Sequence, residues 1–470
     1  MNKSALLMIC VLSLTSCATN TPNSVKADST IPTQWPKGDS YSVYSQGVLA
    51  SEMPWAAFVL DEKIRKIIEL GLANNRDIRI TLANIESARA KYKIQNAAIL
   101  PTIEAGVSAT RGRSAAVSPN GDISTSNVKS YSATVGMSAY EVDLFGKVRS
   151  LSQVALETYL ATEDAHRAAK ISLISELTSA YQTLAADISQ LQLAKNTMDS
   201  AQSSMLIIQK RLEIGVATRL EFRQAETVYQ TARADVANYT TLVAQARNAV
   251  ELLAGMPVPD GLIPEGLPNE AIWFADISAG LDSSVLLSRP DVSQAEHQLK
   301  SADANISAAR AAFFPSLKLT ASTGLASAEL LSLFSGAGVW SIIPSLTVPI
   351  FDNGNNQANL DAAKAQQKVY LSTYELTLQT AFKEVADALA RKGTIKEQLT
   401  AQQKLVEAAS DSYMIANERY KKGVASYLDA LDAQRTLYEA QKALIAVKLV
   451  EYENQQTLYR VLGGGIKVAS

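Results

Sequence analysis

The sequence predicts a mainly α-helical chain that also carries β-strands of the membrane-barrel kind, four per chain, in a plan written twice. Three observations predict it. Landmark segments recur in the same order in the two halves, about 210 residues apart. Near each landmark, short segments alternate apolar and polar residues with period two, the strand signature. After them come long stretches without proline, from Lys147 to Ala254 and from Phe351 onward, and Gly215 is the one glycine of the first.

The chain opens with Lys3 and an apolar run from Ala5 to Leu14, too short to span a bilayer as a helix. A positive start, a short apolar core and small residues at its end are the layout of a secretory signal, placed at residues 1–16. Leu14-Thr15-Ser16-Cys17 resembles the bacterial lipobox. That resemblance implies a diacylglyceryl group on the Cys17 thiol, cleavage before Cys17 and acylation of the new amine. Cys10 sits inside the apolar core and lacks that context. Ala18 after Cys17 resembles an outer-membrane address rather than a retention signal. Residues 17–60 then read as a lipidated, extended segment rich in Ser, Thr, Pro and Tyr.

The first repeat covers residues 61–255 and the second 280–464. Residues 256–279, with Pro257, Pro259, Pro264 and Pro268, read as a linker, and 465–470 as a tail. Asn75-Arg76-Asp77-Ile78 matches Arg289-Pro290-Asp291-Val292, and each opens a helix, about 75–99 and 291–312. Pro101 and Pro315 stop these helices. Alternation follows at Ile103, Ala105, Val107 and Ala109, and at Leu317, Leu319 and Ala321. A second strand follows each, weak at Tyr131, Ala133, Val135 and Met137, clear at Trp340, Ile342, Leu346 and Val348. Lipid-out and lumen-in alternation is also the pattern of a barrel strand. The Ser- and Gly-rich segments 111–127 and 326–338 read as the loops between partners.

Asp143-Leu144-Phe145-Gly146 then parallels Pro349-Ile350-Phe351-Asp352. A helix over 147–213 would be roughly 100 Å long, and its return over 218–254 roughly 55 Å. The second copy repeats them over 355–421 and 426–462. On the last helix Leu428, Leu431, Tyr438, Ile445, Leu449, Tyr452 and Tyr459 occupy two heptad positions, which predicts coiled-coil packing. Arg435, Lys442 and Gln456 interrupt one seam, so this helix is expected to pack on more than one neighbour.

Composition excludes much else. In 470 residues, Lys and Arg total 44 against 46 Asp and Glu, so no net positive field attracts nucleic acid. Two histidines and two cysteines, both cysteines within the first seventeen residues, leave no disulfide framework and no zinc cluster. No phosphate loop, dinucleotide fingerprint or nucleophile elbow appears, so no enzyme and no cofactor beyond the covalent lipid is expected.

Four strands cannot close a barrel, and open edges are not tolerated in lipid. Oligomerisation is therefore required. Two chains would supply about eight strands, too few to leave a conduit, and three would supply about twelve.

The turns are equally specific. Arg211-Leu212-Glu213-Ile214-Gly215-Val216-Ala217-Thr218 parallels Arg419-Tyr420-Lys421-Lys422-Gly423-Val424-Ala425-Ser426. Each glycine suits the left-handed position past a helix end, and Thr218 with Glu221 and Ser426 with Asp429 read as capping boxes. Together with the lipobox and the doubled strand-pair-plus-hairpin plan, these motifs resemble the TolC-like outer-membrane efflux family, in its lipidated OprM-type branch. The likeness covers nearly all the mature chain. It implies a homotrimer with a twelve-stranded barrel in the outer membrane of a Gram-negative bacterium, continued by a helical coiled-coil tunnel in the periplasm. It implies two partners, a periplasmic adaptor (membrane fusion) protein and an inner-membrane pump of the resistance-nodulation-division type, and transport of drugs or other small molecules. Gly215, Val216, Ala217, Gly423, Val424 and Ala425 would meet the adaptor. Leu428, Asp432 and Arg435 match the periplasmic gate, and Asp429 matches a second ring acid in some members. The residue-level alternative makes Asp432 and Arg435 a solvated i,i+3 pair. An exit duct for protein secretion or heavy-metal efflux shares the plan. A structural coiled-coil lipoprotein is the reading from another class, and the alternating segments count against it.

Overall fold

The computed structural model describes residues 31–41, 48–118, 120–268, 272–280 and 282–464. The signal segment, Cys17 and the 465–470 tail lie outside the described residues. The described chain divides into two compact units. One holds 85–162 and 295–374. The other holds the described residues up to 84, 163–294 and 375–464.

Seven helices longer than ten residues and four strands matter for function. In order they are α1 (Glu62–Asn74), α2 (Arg76–Ala97), β1 (Glu104–Val117), β2 (Ile123–Val142), α3 (Lys147–Glu213), α4 (Arg219–Ala254), α5 (Pro290–Ala311), β3 (Ser316–Ser327), β4 (Ala337–Thr347), α6 (Asn355–Lys421) and α7 (Tyr427–Val461). The four hairpin helices begin and end within a residue of their expected limits. Local chemistry stops them: capping boxes open α4 and α7, and left-handed glycines close α3, α4 and α6. Asp143 caps α3 by accepting from Val148 N at 3.1 Å and Arg149 N at 2.9 Å. Asp352 accepts from Asn356 N at 2.9 Å at the start of α6. No helix among the described residues is long and apolar enough to cross a membrane.

The first unit carries one antiparallel sheet in the order β1-β2-β3-β4. Its register places Val107, Ala109, Tyr131, Ala133, Val135, Leu317, Leu319, Ala321, Trp340, Ile342 and Leu346 on one face. The other face is mainly Ser, Thr and Gly, with Val128, Val339 and Ile343 as its large apolar exceptions and Glu104, Glu141 and Lys318 as its charged ones. Hydroxyls pair across the strands there, Ser108 with Ser132 at 2.7 Å and Ser322 with Ser341 at 3.0 Å. A bulge interrupts β2 between Met137 and Tyr140, where Ala139 has a φ of 51° and its N–H donates to Thr320 Oγ1. The expected loop over 111–127 is corrected: β1 and β2 pair through Val117 and Ile123, leaving a turn over 118–122. The second loop likewise shortens to 328–336, most of it one 3₁₀ helix at Leu330–Ser335. Hydrogen-bond pairing carries a strand past the point where apolar alternation fades, so periodicity underestimates its length.

The second unit has a helical core that draws in segments the sequence left loose. The expected linker at 256–279 is packed. Its Trp273, Phe274 and Ile277 are buried, and Val59 bridges Phe274. Phe58 stacks between Phe274 at 5.1 Å and Tyr459 at 4.1 Å. In the N-terminal segment, expected to be extended, Trp35 is buried against Phe382 at 5.3 Å. Helix α1 was not expected. Asp61 caps it through Ile64 N at 2.9 Å, and it buries Ile64, Ile67, Ile68 and Gly71 at helical spacing.

The two repeats use one tie. Asn75 Nδ2 donates to Leu253 O at 3.0 Å, at the end of α4. Arg289 Nη1 donates to Val461 O at 2.7 Å, at the end of α7. Each matched opening residue thus satisfies a carbonyl that the helix end leaves unpaired. Asn75 also caps α2 through Asp77 N and Ile78 N. Arg289 is buried instead in a charged cluster, bidentate to Asp291 at 2.7 and 3.0 Å and 3.0 Å from Glu384.

Candidate functional site

The two hairpin turns, α3–α4 and α6–α7, lie in the second unit and share a construction. Gly215 has a φ of 79° and Gly423 of 74°, and a Cβ on either would meet nothing within 4 Å. Backbone conformation, not space, therefore requires glycine at both. Val216 N donates to Arg211 O at 2.8 Å and Gly215 N to Leu212 O at 3.0 Å. Val424 N donates to Arg419 O and Gly423 N to Tyr420 O at the matching positions. This is the Schellman pattern, which satisfies the last carbonyls of α3 and α6.

Both capping boxes form. Thr218 N donates to Glu221 Oε2 at 2.6 Å and Glu221 N to Thr218 Oγ1 at 3.2 Å. The Ser426–Asp429 box is longer, at 3.3 and 3.4 Å, because aspartate is one methylene shorter. The Asp429 carboxylate is thereby engaged in the cap.

The expected contact residues divide. Val216 and Val424 project into solvent, 60% and 65% exposed, beside the exposed Gly215 and Gly423. Ala217 instead packs on the tip core, and Ala425 is half-buried. Sequence reasoning missed Ile214 and Leu220, both strongly exposed at the first turn. Large aliphatics flanking a capping box, with no helical partner at core spacing, were the available signal.

A core joins the two turns within the protomer. Ala201, Ile208, Ala225, Val228, Tyr427 and Leu431 are buried together, with Phe222, Tyr229 and Tyr420 against them. The Arg211 guanidinium lies 5.0 Å from the Tyr420 ring centre, and Tyr420 packs on Tyr427 at 5.2 Å. The Tyr420 hydroxyl is buried without a hydrogen-bond partner among the described residues. Burial, reinforced by Tyr420, pushes the Tyr427 phenol up to about 12. Further along, Tyr438 Oη donates to Asp235 Oδ2 at 2.7 Å, tying α7 to α4. Lys442 Nζ lies 3.9 Å from the same carboxylate and 5.3 Å from the Tyr438 ring centre.

These contacts sort the two heptad positions of α7. Leu431, Tyr438 and Tyr459 are buried within the protomer. Leu428 is 54% exposed, and Asp432 and Arg435 are exposed on the same side of the helix. Among the described residues Asp432 and Arg435 form no ion pair, with each other or with any other side chain. Their i,i+3 pairing is not made in the protomer. The structure thus brings Leu428, Asp432 and Arg435 together on an unpartnered face and leaves Asp429 to the cap.

A sheet with one apolar face and two open edges, followed in each repeat by a helical hairpin, defines an outer-membrane channel protein. The chain belongs to the outer membrane efflux protein family, whose model matches residues 67–256 and 281–464. It is similar to the toluene efflux pump outer membrane protein TtgI of Pseudomonas putida, 42% identical over 469 residues, covering 99% of each chain. It is also 42% identical, over 447 residues, to the antibiotic efflux pump outer membrane protein ArpC of Pseudomonas putida, covering 94% of this chain and 92% of that one. Among solved structures, the open state of the Neisseria gonorrhoeae MtrE outer membrane channel superposes with a TM-score of 0.80 at 36% identity, covering 93% of this chain and 99% of that one.

Proposed function

We propose that this chain is the lipidated outer-membrane duct of a tripartite efflux system. As a homotrimer it passes antibiotics, solvents or other small molecules from an inner-membrane pump and a periplasmic adaptor to the exterior. The observation that carries the reading is the sheet. Its β1 and β4 edges have no partner among the described residues, and one face is apolar. Such edges are satisfied in lipid only by closure with further copies. Three copies give about twelve strands with the Ser, Thr and Gly face inward, wide enough to conduct. Cys17 carries the lipid and adds a second anchor. The pump is of the resistance-nodulation-division type, as the resemblance to OprM-type ducts implies; the names of the relatives speak only of efflux pumps.

In this reading the exposed Val216 and Val424 tips, with Ile214 and Leu220, seat the adaptor. Leu428, Asp432 and Arg435, repeated about the three-fold axis, form the resting constriction. The duct passes cargo without chemistry, and energy comes from the pump. Crosslinking of the detergent-extracted protein tests the assembly. Products should saturate at three subunits. A monodisperse monomer retaining its strand content would overturn the proposal, because its edges would stand open.

A further inference from the structure

We propose that the outer end of the β1–β2 hairpin is a binding site for phosphorylated lipid headgroups of the outer leaflet, formed by Arg111, Arg113 and Lys129. The proposal rests on the outer-membrane barrel reading above.

The register carries it. Arg111 stands opposite Lys129 and Arg113 opposite Asn127. All four share the face of Val107, Ala109, Tyr131 and Ala133, the apolar face that meets lipid. Along both strands the sequence on this face changes abruptly. Ala105, Val107 and Ala109 give way to Arg111 and Arg113, and Val135, Ala133 and Tyr131 give way to Lys129 and Asn127. The change falls on the same two rungs of the ladder, directly beyond Tyr131. An aromatic at this level marks the upper boundary of a barrel's apolar band, so the cations stand at headgroup depth. The 118–122 turn lies beyond them, at the end of the sheet away from the helices that adjoin it.

The three cations have no internal counter-charge. None forms an ion pair among the described residues. Arg113 Nη2 donates to Thr125 Oγ1 at 3.0 Å, which orients the guanidinium and leaves its charge uncompensated. The acids of this end are Asp122 in the turn and Glu329 after β3. Both are exposed, and neither reaches a cation. On the polar face of the same strands no Lys or Arg occurs between Glu104 and Gly136, so the charge is segregated to the lipid side. Cations on a barrel's lipid face cost free energy near the midplane and little at the interface. There a guanidinium pair suits phosphate, which it can hold bidentately, and an ammonium adds a point charge. An acylated, phosphorylated lipid satisfies both halves of the surface, its chains on Val107, Ala109 and Ala133 and its phosphate on the cations.

The test uses the full-length protein in detergent and reads lipid retention by native mass spectrometry. The probes are a bisphosphorylated acylated disaccharide, the same lipid dephosphorylated, and inorganic phosphate. The wild type should bind the first and show no response to the third. Dephosphorylation should weaken binding by at least tenfold. Each interfacial cation is worth roughly fivefold in affinity for an anionic lipid, so R111Q/R113Q/K129Q should lose on the order of a hundredfold. The charge-conserving variant R111K/R113K/K129R should retain most binding, which separates charge from folding. Equal retention by the neutral triple variant, or equal binding of the dephosphorylated lipid, would overturn the proposal. So would a response to inorganic phosphate equal to that of the lipid. Loss of the trimer and of conductance in the wild type would indict the barrel reading instead.

Discussion

At the proposed constriction, the aliphatic plug should outweigh the ion pairs between protomers, and salt should tell them apart. Leu428 is 54% exposed in the protomer, so roughly half its side chain is left to bury against symmetry mates. Full burial of a leucine is worth ~1.5–3 kcal/mol, so the remaining half contributes about 1 kcal/mol per copy and about 3 kcal/mol for three. Asp432 and Arg435 form no ion pair among the described residues, so in the proposed trimer their pairing falls between protomers. An exposed pair contributes ~0.2–1 kcal/mol, or about 0.6–3 kcal/mol for three. In a two-state opening these figures correspond to roughly a hundredfold shift for Leu428→Ala and roughly threefold to a hundredfold for D432A/R435A at low salt. At 1 M salt the screening length falls to about 3 Å and the ionic contribution fades, whereas the apolar one does not. Single-channel recording of trimers in planar bilayers should therefore show Leu428→Ala leaky at both 0.1 M and 1 M KCl. D432A/R435A should be leaky mainly at 0.1 M. Trivalent cations added from the periplasmic side should block the wild type. Asp432→Ala should relieve that block more than Asp429→Ala, whose carboxylate is committed to Ser426. A Leu428→Ala channel that conducts like wild type, or a double variant whose leak ignores salt, would refute the reasoning.

Three other outcomes are expected. Arg289→Met removes the tie to Val461 O, strands the Asp291 carboxylate and leaves Glu384 only its 3.8 Å contact with Arg460, so the thermal unfolding temperature of the protein should fall by several degrees. Burial alone would raise the Asp291 carboxyl, but its bonds to Arg289 hold it below the ordinary carboxylate range. That contribution to stability is complete above the ordinary range and is lost as pH falls below it, through the lowered value of the folded state. The wild type should therefore lose more stability than Asp291→Asn between about pH 5 and pH 2, measured by light scattering on heating. Cys17→Ser should abolish acyl labelling while the trimer still forms, since barrel insertion is an independent anchor; labelling that persists would place the lipid elsewhere.

What the sequence determined by itself was whatever depends on neighbours in the chain. The limits of α3, α4, α6 and α7 follow from Gly215, Gly255 and Gly423, from the Thr218 and Ser426 caps, and from the absence of proline, all effects that act within one helical turn. The four strands and their faces were legible for the same reason, since alternation is local. The repeat was visible in Asn75 and Arg289, but not its purpose. Only the folded chain brings those residues to Leu253 O and Val461 O, some 170 residues distant. Tertiary structure also decided which heptad position of α7 turns inward, because Leu431 and Leu428 are equally apolar and differ only in having the partners Ile208 and Val228. It packed the Trp273–Phe274 connector and the Trp35 segment, whose aromatics had no local periodicity to betray a core. And it extended β1 and β2 through the Arg111–Lys129 rung as far as Val117 and Ile123, because backbone hydrogen bonding to a partner strand needs no apolar side chain.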